Sequence, residues 1–361
     1  MTCHLTVAIP TYNGAKRLPL VLESLMVQKH LSHICWEVLV VDNNSTDETS
    51  TVVQNFKSVW QQRFSNQNPP DQISDERVPL RYLKEQRQGA AYARQRAIAT
   101  AHGKWVAFLD DDNIPSNNWL FQAYQFAEQG EHSRGQLGAF SGQIHGVFPN
   151  DISPELKRYI RPYLAIVERG DRPFQYDLAY KVLPPSAGLV VRREAWLESV
   201  PDTLILGGRT SDSMLTSEDL ETLVYFQQKG WEIWYNPAMH MDHLIPPWRL
   251  KRDYLIPFLK GIGLTRHVIR MLRVPPLKRP LWTLLYGLND ARRLLMHWFT
   301  HQNRLGHDLV ADCKLVFLYS SLISPWFMFH HQRSKKLVCS RKSSMLDPNK
   351  MSMTVAKSHL D

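Results

Sequence analysis

The run Lys104–Trp119, KWVAFLDDDNIPSNNW, sets the five apolar residues WVAFL directly against three carboxylates. An unbroken apolar run of this length buries both its faces, as a strand does inside a parallel sheet covered by helices. Asp110, Asp111 and Asp112 end the run, and Pro115 removes a backbone donor just beyond it. Adjacent carboxylates repel one another unless a cation neutralises them. In an open α/β sheet the carboxyl end of a strand is also where ligands sit. The residue types fit a divalent metal shared with a phosphorylated ligand, because Mg²⁺ and Mn²⁺ take oxygen ligands. A solvated turn that caps a helix near Ser116 would use the same residues. The neighbouring motifs have to separate the two readings.

Apolar runs recur on both sides, each followed by turn chemistry and then a helix-period segment. Leu5–Tyr12 reads as a first strand, turned at Asn13 and Gly14 into LPLVLESLMVQ, which has helical periodicity. Trp36–Asp42 is a second buried strand, and the cap-rich NNSTDETS opens the helix TSTVVQNFKSVW. Leu80–Lys84 is a third strand and Gly89–Ala101 an alanine-rich helix. Strands alternating with helices predict an α/β fold with a mainly parallel sheet. Asn66–Arg77 reads as a polar surface loop and Asp151–Phe174 as a flexible flap. Leu137–Val147, the end of Pro184–Arg193 and WEIWYNP read as strands, and Ser217–Gly230 as a helix opened by acids and stopped by glycine.

At 361 residues the chain is long enough for two domains, or for one with an appendage. Its net charge of +9 resembles a nucleic-acid signal until it is located. Residues 1–248 hold 23 Lys and Arg against 28 Asp and Glu, a net of −5; residues 249–361 hold 20 against 6, a net of +14. The basic character therefore lies away from the acidic motif, and no nucleic-acid partner is expected. Cys3, Cys35, Cys313 and Cys339 are far apart, without CxxC spacing, which argues against a zinc site or a disulfide scaffold and suits a reducing cytoplasm. The N-terminus runs straight into a strand, so no signal peptide is expected. No uninterrupted apolar run approaches the roughly 20 residues that span a bilayer.

VAIPTYNG, VLVVDNNSTDET, GAAYAR, FLDDDNIP, SEDLE and YNPAMHMDH follow one another over roughly residues 5–250. In that order they strongly resemble the family 2 glycosyltransferases. The HLIPPWRL ending, followed by a basic helical segment, looks more narrowly like cyanobacterial enzymes of hormogonium polysaccharide biosynthesis. The resemblance implies the GT-A fold, a Rossmann-like nucleotide-binding sheet, over residues 1–250. It also implies an inverting transferase that moves a sugar from a nucleotide-sugar donor, UDP-linked, to a saccharide or lipid-linked acceptor with the help of Mg²⁺ or Mn²⁺.

Each residue can be weighed beside that resemblance. A carboxylate at a strand end, such as Asp42, can accept hydrogen bonds from a base or ribose, or can cap a helix. The resemblance assigns it to the uridine, with Pro10, Thr11 and Asn13 lining the same pocket. Gly89 allows close backbone approach and Arg94 can offset diphosphate charge, although ARQRA departs from the family's ARNxG at Gln95 and Ala97. Within the acidic triplet the resemblance makes Asp112 the direct metal ligand and Asp110 a ribose or metal contact, with Asp111 beside the donor. Glu218 and Asp219 open a helix, where acids also favour the dipole; the resemblance makes them the catalytic pair, with Asp219 as general base. His243, in competition with His240, is a metal or phosphate contact, and Arg249 meets the diphosphate. Ser186–Gly188 can line the sugar pocket, and Trp119 and Trp248 can stack on sugar rings or fill cores.

Two other classes share parts of this pattern. A sugar nucleotidyltransferase usually carries a glycine-rich G-x-G-T-R-L loop near its first strand, where this chain has IPTYNGAKRL. A non-catalytic nucleotide-sugar-binding protein would have lost the base or the metal ligands, and here both are present. Residues 251–331 read as basic amphipathic helices bearing Trp, Phe and Leu, expected on the anionic inner face of the plasma membrane or packed on protein. Residues 332–361 read as a basic disordered tail.

Overall fold

A computed structural model describes residues 3–65, 78–133, 135–177, 182–210 and 213–345. The expected surface loop Asn66–Arg77 lies outside the described residues, as does the chain beyond Met345. The first half runs β1 (Leu5–Thr11), α1 (Leu18–Met26), β2 (Trp36–Asp42), α2 (Thr49–Ser65), β3 (Leu80–Lys84), α3 (Ala90–Thr100), β4 (Trp105–Phe108), β5 (Asn113–Pro115) and α4 (Trp119–Ser133). It continues with β6 (Leu137–Val147), α5 (Pro154–Ile160), β7 (Phe174–Gln175), β8 (Val190–Arg192), α6 (Arg193–Ser199), α7 (Glu218–Gln228) and β9 (Glu232–Leu244). Three long helices follow: α8 (Arg252–Leu272), α9 (Arg279–His301) and α10 (Leu309–Met345).

The strands form one sheet in the order β3-β2-β1-β4-β8-β6-β9-β5, with β7 also on β9. β3, β2, β1 and β4 are mutually parallel, and the longest register in the other half, β6 on β9, is parallel too. The antiparallel pairings are short. β2 is buried at every position and so is β4, as their unbroken apolar sequences require. Trp119 is wholly buried and fills this core.

Two features went unread in the sequence. WEIWYNP is only the start of a 13-residue strand, β9, which carries MHMDH along the sheet. After the three acids the chain also turns back as β5, pairing antiparallel with β9 so that Asn113 faces His243. Pro115 ends β5 at the sheet's edge, where a missing donor costs least.

Asp151–Phe174 packs as a structured segment. Ile160 and Leu164 join Ile245, Leu255, Phe258, Leu259 and Cys313 in a second core, which ties α5, α8 and α10 together. A side chain at Gly263 of α8 would stand 2.6 Å from the Ser320 Cβ of α10, so these helices touch almost backbone to backbone. The Ser324 hydroxyl donates to the Leu264 carbonyl at 2.5 Å. Leu309–Arg333 is long and apolar enough, at a mean hydropathy of 1.2, to cross a bilayer by composition, yet 44% of that window is buried in the fold. Counting apolar runs misses it because Asp312 and Lys314 close the run Leu315–Phe329 upstream, whereas Asp312 is buried and paired with Arg252 at 2.6 Å. α10 runs on to Met345, so residues 332–345 are helical where a disordered tail was expected. That stretch contains neither proline nor glycine to stop the helix.

Candidate active site

Each acid at the end of β4 has a cation of its own. Arg94 Nη2 lies 3.7 Å from Asp110 Oδ1. Arg17 grips Asp111 through Nε at 2.8 Å and Nη2 at 2.9 Å. Arg249 Nη1 lies 2.8 Å from Asp112 Oδ2. The repulsion expected of three adjacent carboxylates is thus relieved by arginines from three different parts of the chain.

The three acids do different work. Asp111 also accepts the Thr11 hydroxyl at 2.5 Å and ties β4 to β1, so it acts as a strut. Burial alone would raise the pKa of Asp112; a hydrogen bond from His243, made when its ring is protonated, and the charge of Arg249 outweigh it and hold this carboxyl well below the usual range. Asp110 is pushed upward by burial and by the charge of Asp112, against the pull of Arg94. The two acids, two residues apart, are thus shifted in opposite directions.

His243 reaches this site because β5 and β9 pair. Its Nδ1 lies 2.9 Å from the Leu164 carbonyl, so Nδ1 carries the proton. When the ring is neutral, Nε2 presents a lone pair 3.5 Å from Asp112 Oδ1 and 3.3 Å from Arg249 Nη1. A ring fixed through its far nitrogen by a carbonyl is the usual preparation of a metal-binding histidine. Among the described residues no group of three or more His, Cys, Asp or Glu is arranged to hold a metal. Asp112 Oδ1 and His243 Nε2, 3.5 Å apart, are a pair of donor atoms rather than a complete ligand set. His240 points elsewhere: its ring stacks on His145, with 3.2 Å between Nδ1 and Nε2.

Arg94 joins the strand end to the start of α7. Buried, it donates through Nη1 to Glu218 Oε1 at 2.8 Å while facing Asp110. Asp219 accepts the Leu220 amide at 2.8 Å and the Ser186 amide at 3.2 Å. Burial and the Glu218 charge raise its pKa to about 6, against the opposing pull of Arg94. Arg94, Phe108, Ser186, Leu189, Glu218 and Asp219 are among the residues that line a small, mostly apolar cavity of about 10 Å³ beside the acid pair. The sequence-predicted Asp110, Arg94, Glu218, Asp219 and Ser186 thus meet in one place, with Asp112, His243 and Arg249 beside them.

The predicted nucleotide-side residues gather at the other edge. Asp42 is buried and accepts the Ser45 amide at 2.8 Å and the Tyr82 hydroxyl at 2.5 Å. Its first role is therefore to hold its own loop, with lone pairs left over for a ligand. Asn13, at φ 49°, accepts the Thr46 amide at 2.9 Å and locks the loop after β1, which follows Pro10 and Thr11, to the loop after β2. Gly89, at φ 130°, donates to the Asn43 side chain at 2.7 Å.

Sequence reading missed three residues here. Asn43 also donates to the Arg87 carbonyl at 2.7 Å, joining two loops. Glu221 is fully buried and accepts the Ile205 and Leu206 amides at 2.9 and 2.8 Å, anchoring the loop that carries Arg209. Exposed Arg209 donates to the Tyr254 hydroxyl at 3.0 Å, and Tyr254, Glu218, Asp110 and Asp112 together raise its pKa. The GlyGly pair before it was the available signal: a side chain at Gly208, φ 82°, would stand 3.1 Å from the Glu218 carboxyl carbon.

Residues 6–163 match the family model for glycosyl transferase family 2. TuaG of Bacillus subtilis, named for teichuronic acid biosynthesis, is 34% identical over 121 residues, which is 34% of this chain and 40% of that protein. WfgD of Escherichia coli, named as a UDP-Glc:alpha-D-GlcNAc-diphosphoundecaprenol beta-1,3-glucosyltransferase, is 31% identical over 109 residues, 30% of this chain and 35% of that one. The chain thus spans less than half the length of these curated relatives. Among solved structures, Staphylococcus aureus TarS 1–349 with UDP aligns over 90% of this chain and 91% of that chain, at 16% identity and a TM-score of 0.45.

Proposed function

We propose that the chain, whose residues 6–163 match the glycosyl transferase family 2 model, moves a sugar from a UDP-sugar donor to a saccharide or lipid-linked acceptor, with inversion, in polysaccharide biosynthesis at the cytoplasmic face of the membrane. The observation that carries this is Arg94, whose guanidinium spans the strand-end acid Asp110 and the helix-start acid Glu218. It supports a single site in which the diphosphate end of a donor and a proton acceptor stand side by side. The narrower likeness to cyanobacterial hormogonium polysaccharide enzymes rests on the HLIPPWRL ending and the basic helical segment that follows it.

In this reading Asp219 takes the proton of the acceptor hydroxyl as its oxygen attacks the anomeric carbon. The bond to the diphosphate oxygen breaks on the opposite face, and the electron pair leaves with the nucleotide. One displacement inverts the centre through an oxocarbenium-like transition state. A pKa near 6 keeps Asp219 ionised at neutral pH yet basic enough to share a proton. A Mg²⁺ or Mn²⁺ held by Asp112 and His243, with Asp110 on the ribose or the metal, would offset the charge growing on the diphosphate. Arg249 and Arg209 supply the remaining positive charge at the mouth, while Arg94 holds Glu218 in place. Asp42, Pro10, Thr11 and Asn13 take the nucleoside, and Gly89 brings backbone close to it.

Release of free UDP or GDP from a panel of nucleotide sugars, with and without Mn²⁺, tests the reading. Nucleotide release that depends on Asp219 and on an added acceptor is expected. Pyrophosphate release from sugar phosphate and UTP would make the protein a nucleotidyltransferase, and binding without turnover would make it a carrier.

A further inference from the structure

α9 is amphipathic in the reverse of the usual sense. Its buried residues are Asp290 and His297. Asp290 is gripped by Arg270 of α8 at 2.5 and 3.0 Å, and His297 Nε2 meets the Ala311 carbonyl at 2.9 Å. The apolar side therefore faces outward. Leu281, Leu285, Leu288, Leu295, Trp298 and Phe299 are between 46% and 70% exposed. Most are three, four or seven residues apart, so they form one stripe along the helix. A monomer rarely leaves so continuous an apolar strip bare.

The charge around the stripe selects its partner. Lys278, Arg279, Arg292, Arg293 and Arg304 are all exposed, and the one acid in α9, Asp290, is turned inward. A partner must then be apolar in depth and anionic at its surface. A second copy of α9 fits badly: Arg292 and Arg293 lie near the middle of the helix, so a two-fold pairing would set four arginines together without an exposed α9 acid between them. Tryptophan, leucine and arginine on one exposed helix face match the headgroup boundary of a bilayer.

We propose that α9 is a docking face that lies in the headgroup region of an anionic bilayer, while α8 and the buried side of α10 stay packed on the protein. This holds independently of the reaction assigned to the acidic site. Placing the helix there by its own buried ion pair leaves little ordering to be done on binding.

The test is co-sedimentation of the full chain with phosphatidylcholine vesicles, with and without phosphatidylglycerol. Two double variants are compared: Leu288→Ser with Phe299→Ser, and Arg292→Gln with Arg293→Gln. Circular dichroism melts check that each is folded. Binding to the anionic vesicles with a blue shift in tryptophan emission is expected. Each variant should weaken it roughly tenfold or more, and only the arginine pair should flatten its salt dependence. Wild-type binding that is absent at low salt, or unchanged in both variants, overturns the proposal. So does a dimer in sedimentation velocity that the serine variant converts to monomer, since a second copy would then be the occupant.

Discussion

Arg249 Nη1 lies 2.8 Å from Asp112 Oδ2, so the carboxylate proposed here as a metal ligand is already paired with a guanidinium. An ion arriving there competes with the arginine for the same oxygens. Arg249→Ala should therefore raise the affinity for Mn²⁺ in the absence of nucleotide, by about tenfold, while weakening donor binding by removing the diphosphate contact proposed for it. Electron paramagnetic resonance titration of Mn²⁺ measures the first and donor KM the second. Unchanged Mn²⁺ affinity would separate Arg249 from the metal site.

Asp112→Asn should nearly abolish turnover. It also leaves the half-buried Arg249 beside a neutral amide, a loss of about 1–3 kcal/mol in stability. Urea unfolding and UDP release, measured on the same preparation, check both. Near-normal turnover in the presence of a chelator would sink the metal assignment.

Asp219 gives opposite signs for activity and stability. Its folded pKa is about 6, above the ordinary 3.8, so the folded state holds the proton more tightly than the unfolded chain does. Its ionisation therefore removes stability as pH rises from about 4 through 6, by roughly 1–3 kcal/mol. Asp219→Asn should lower kcat by about 10²–10⁴-fold, yet melt at a higher temperature than wild type at pH 7.5. At pH 4 the two should melt alike. A variant less stable than wild type at pH 7.5 would contradict the strained-carboxylate reading. The wild-type kcat/KM should fall on the acid side with an apparent pKa near 6.

The strands that build this site were legible because buried parallel strands are unbroken apolar runs, and β2, β3 and β6 begin and end where the sequence placed them. Asp110, Asp219 and Arg94 could be picked out singly, but their meeting could not. It depends on α7 returning across the sheet 124 residues after Arg94, a distance no local pattern records. β5 was missed for the same kind of reason. Three residues holding a proline carry no strand periodicity, and only pairing with β9 makes them one. The outward stripe on α9 was visible as spacing, while the choice of buried face was made by the Asp290–Arg270 pair, which no hydrophobic pattern encodes.

Gly89 sits at φ 130°, and a Cβ there would stand 2.4 Å from the Gly207 carbonyl oxygen. Gly89→Ala is strained twice over, by its backbone angle and by contact with a backbone atom that cannot swing aside. A loss of about 1–3 kcal/mol is expected. Because the displaced loop carries Arg209, donor KM should rise as well. Asn43→Ala, which frees the Gly89 amide without a clash, should reproduce the KM effect more weakly. Equal stability of Gly89→Ala and wild type in urea would remove the close approach from the account.

Arg94 should set the pH range over which the protein works. Its charge opposes the rise in the Asp219 pKa while its Nη1 holds Glu218. Removing the cation favours protonated Asp219, so in Arg94→Met the acid limb of kcat/KM should move upward from near 6 by about one unit. Activity would then be lost more severely at pH 6.5 than at pH 8.5. That variant also leaves buried carboxylates unpaired, so Arg94→Lys serves as its companion. Lysine keeps the charge but not the fork that reaches Asp110 and Glu218 together, and its acid limb should stay near 6 while kcat falls. An acid limb unmoved in both variants, with both folded, would mean that Asp219 titrates without regard to Arg94, and the group governing the acid limb would have to be sought elsewhere in the site.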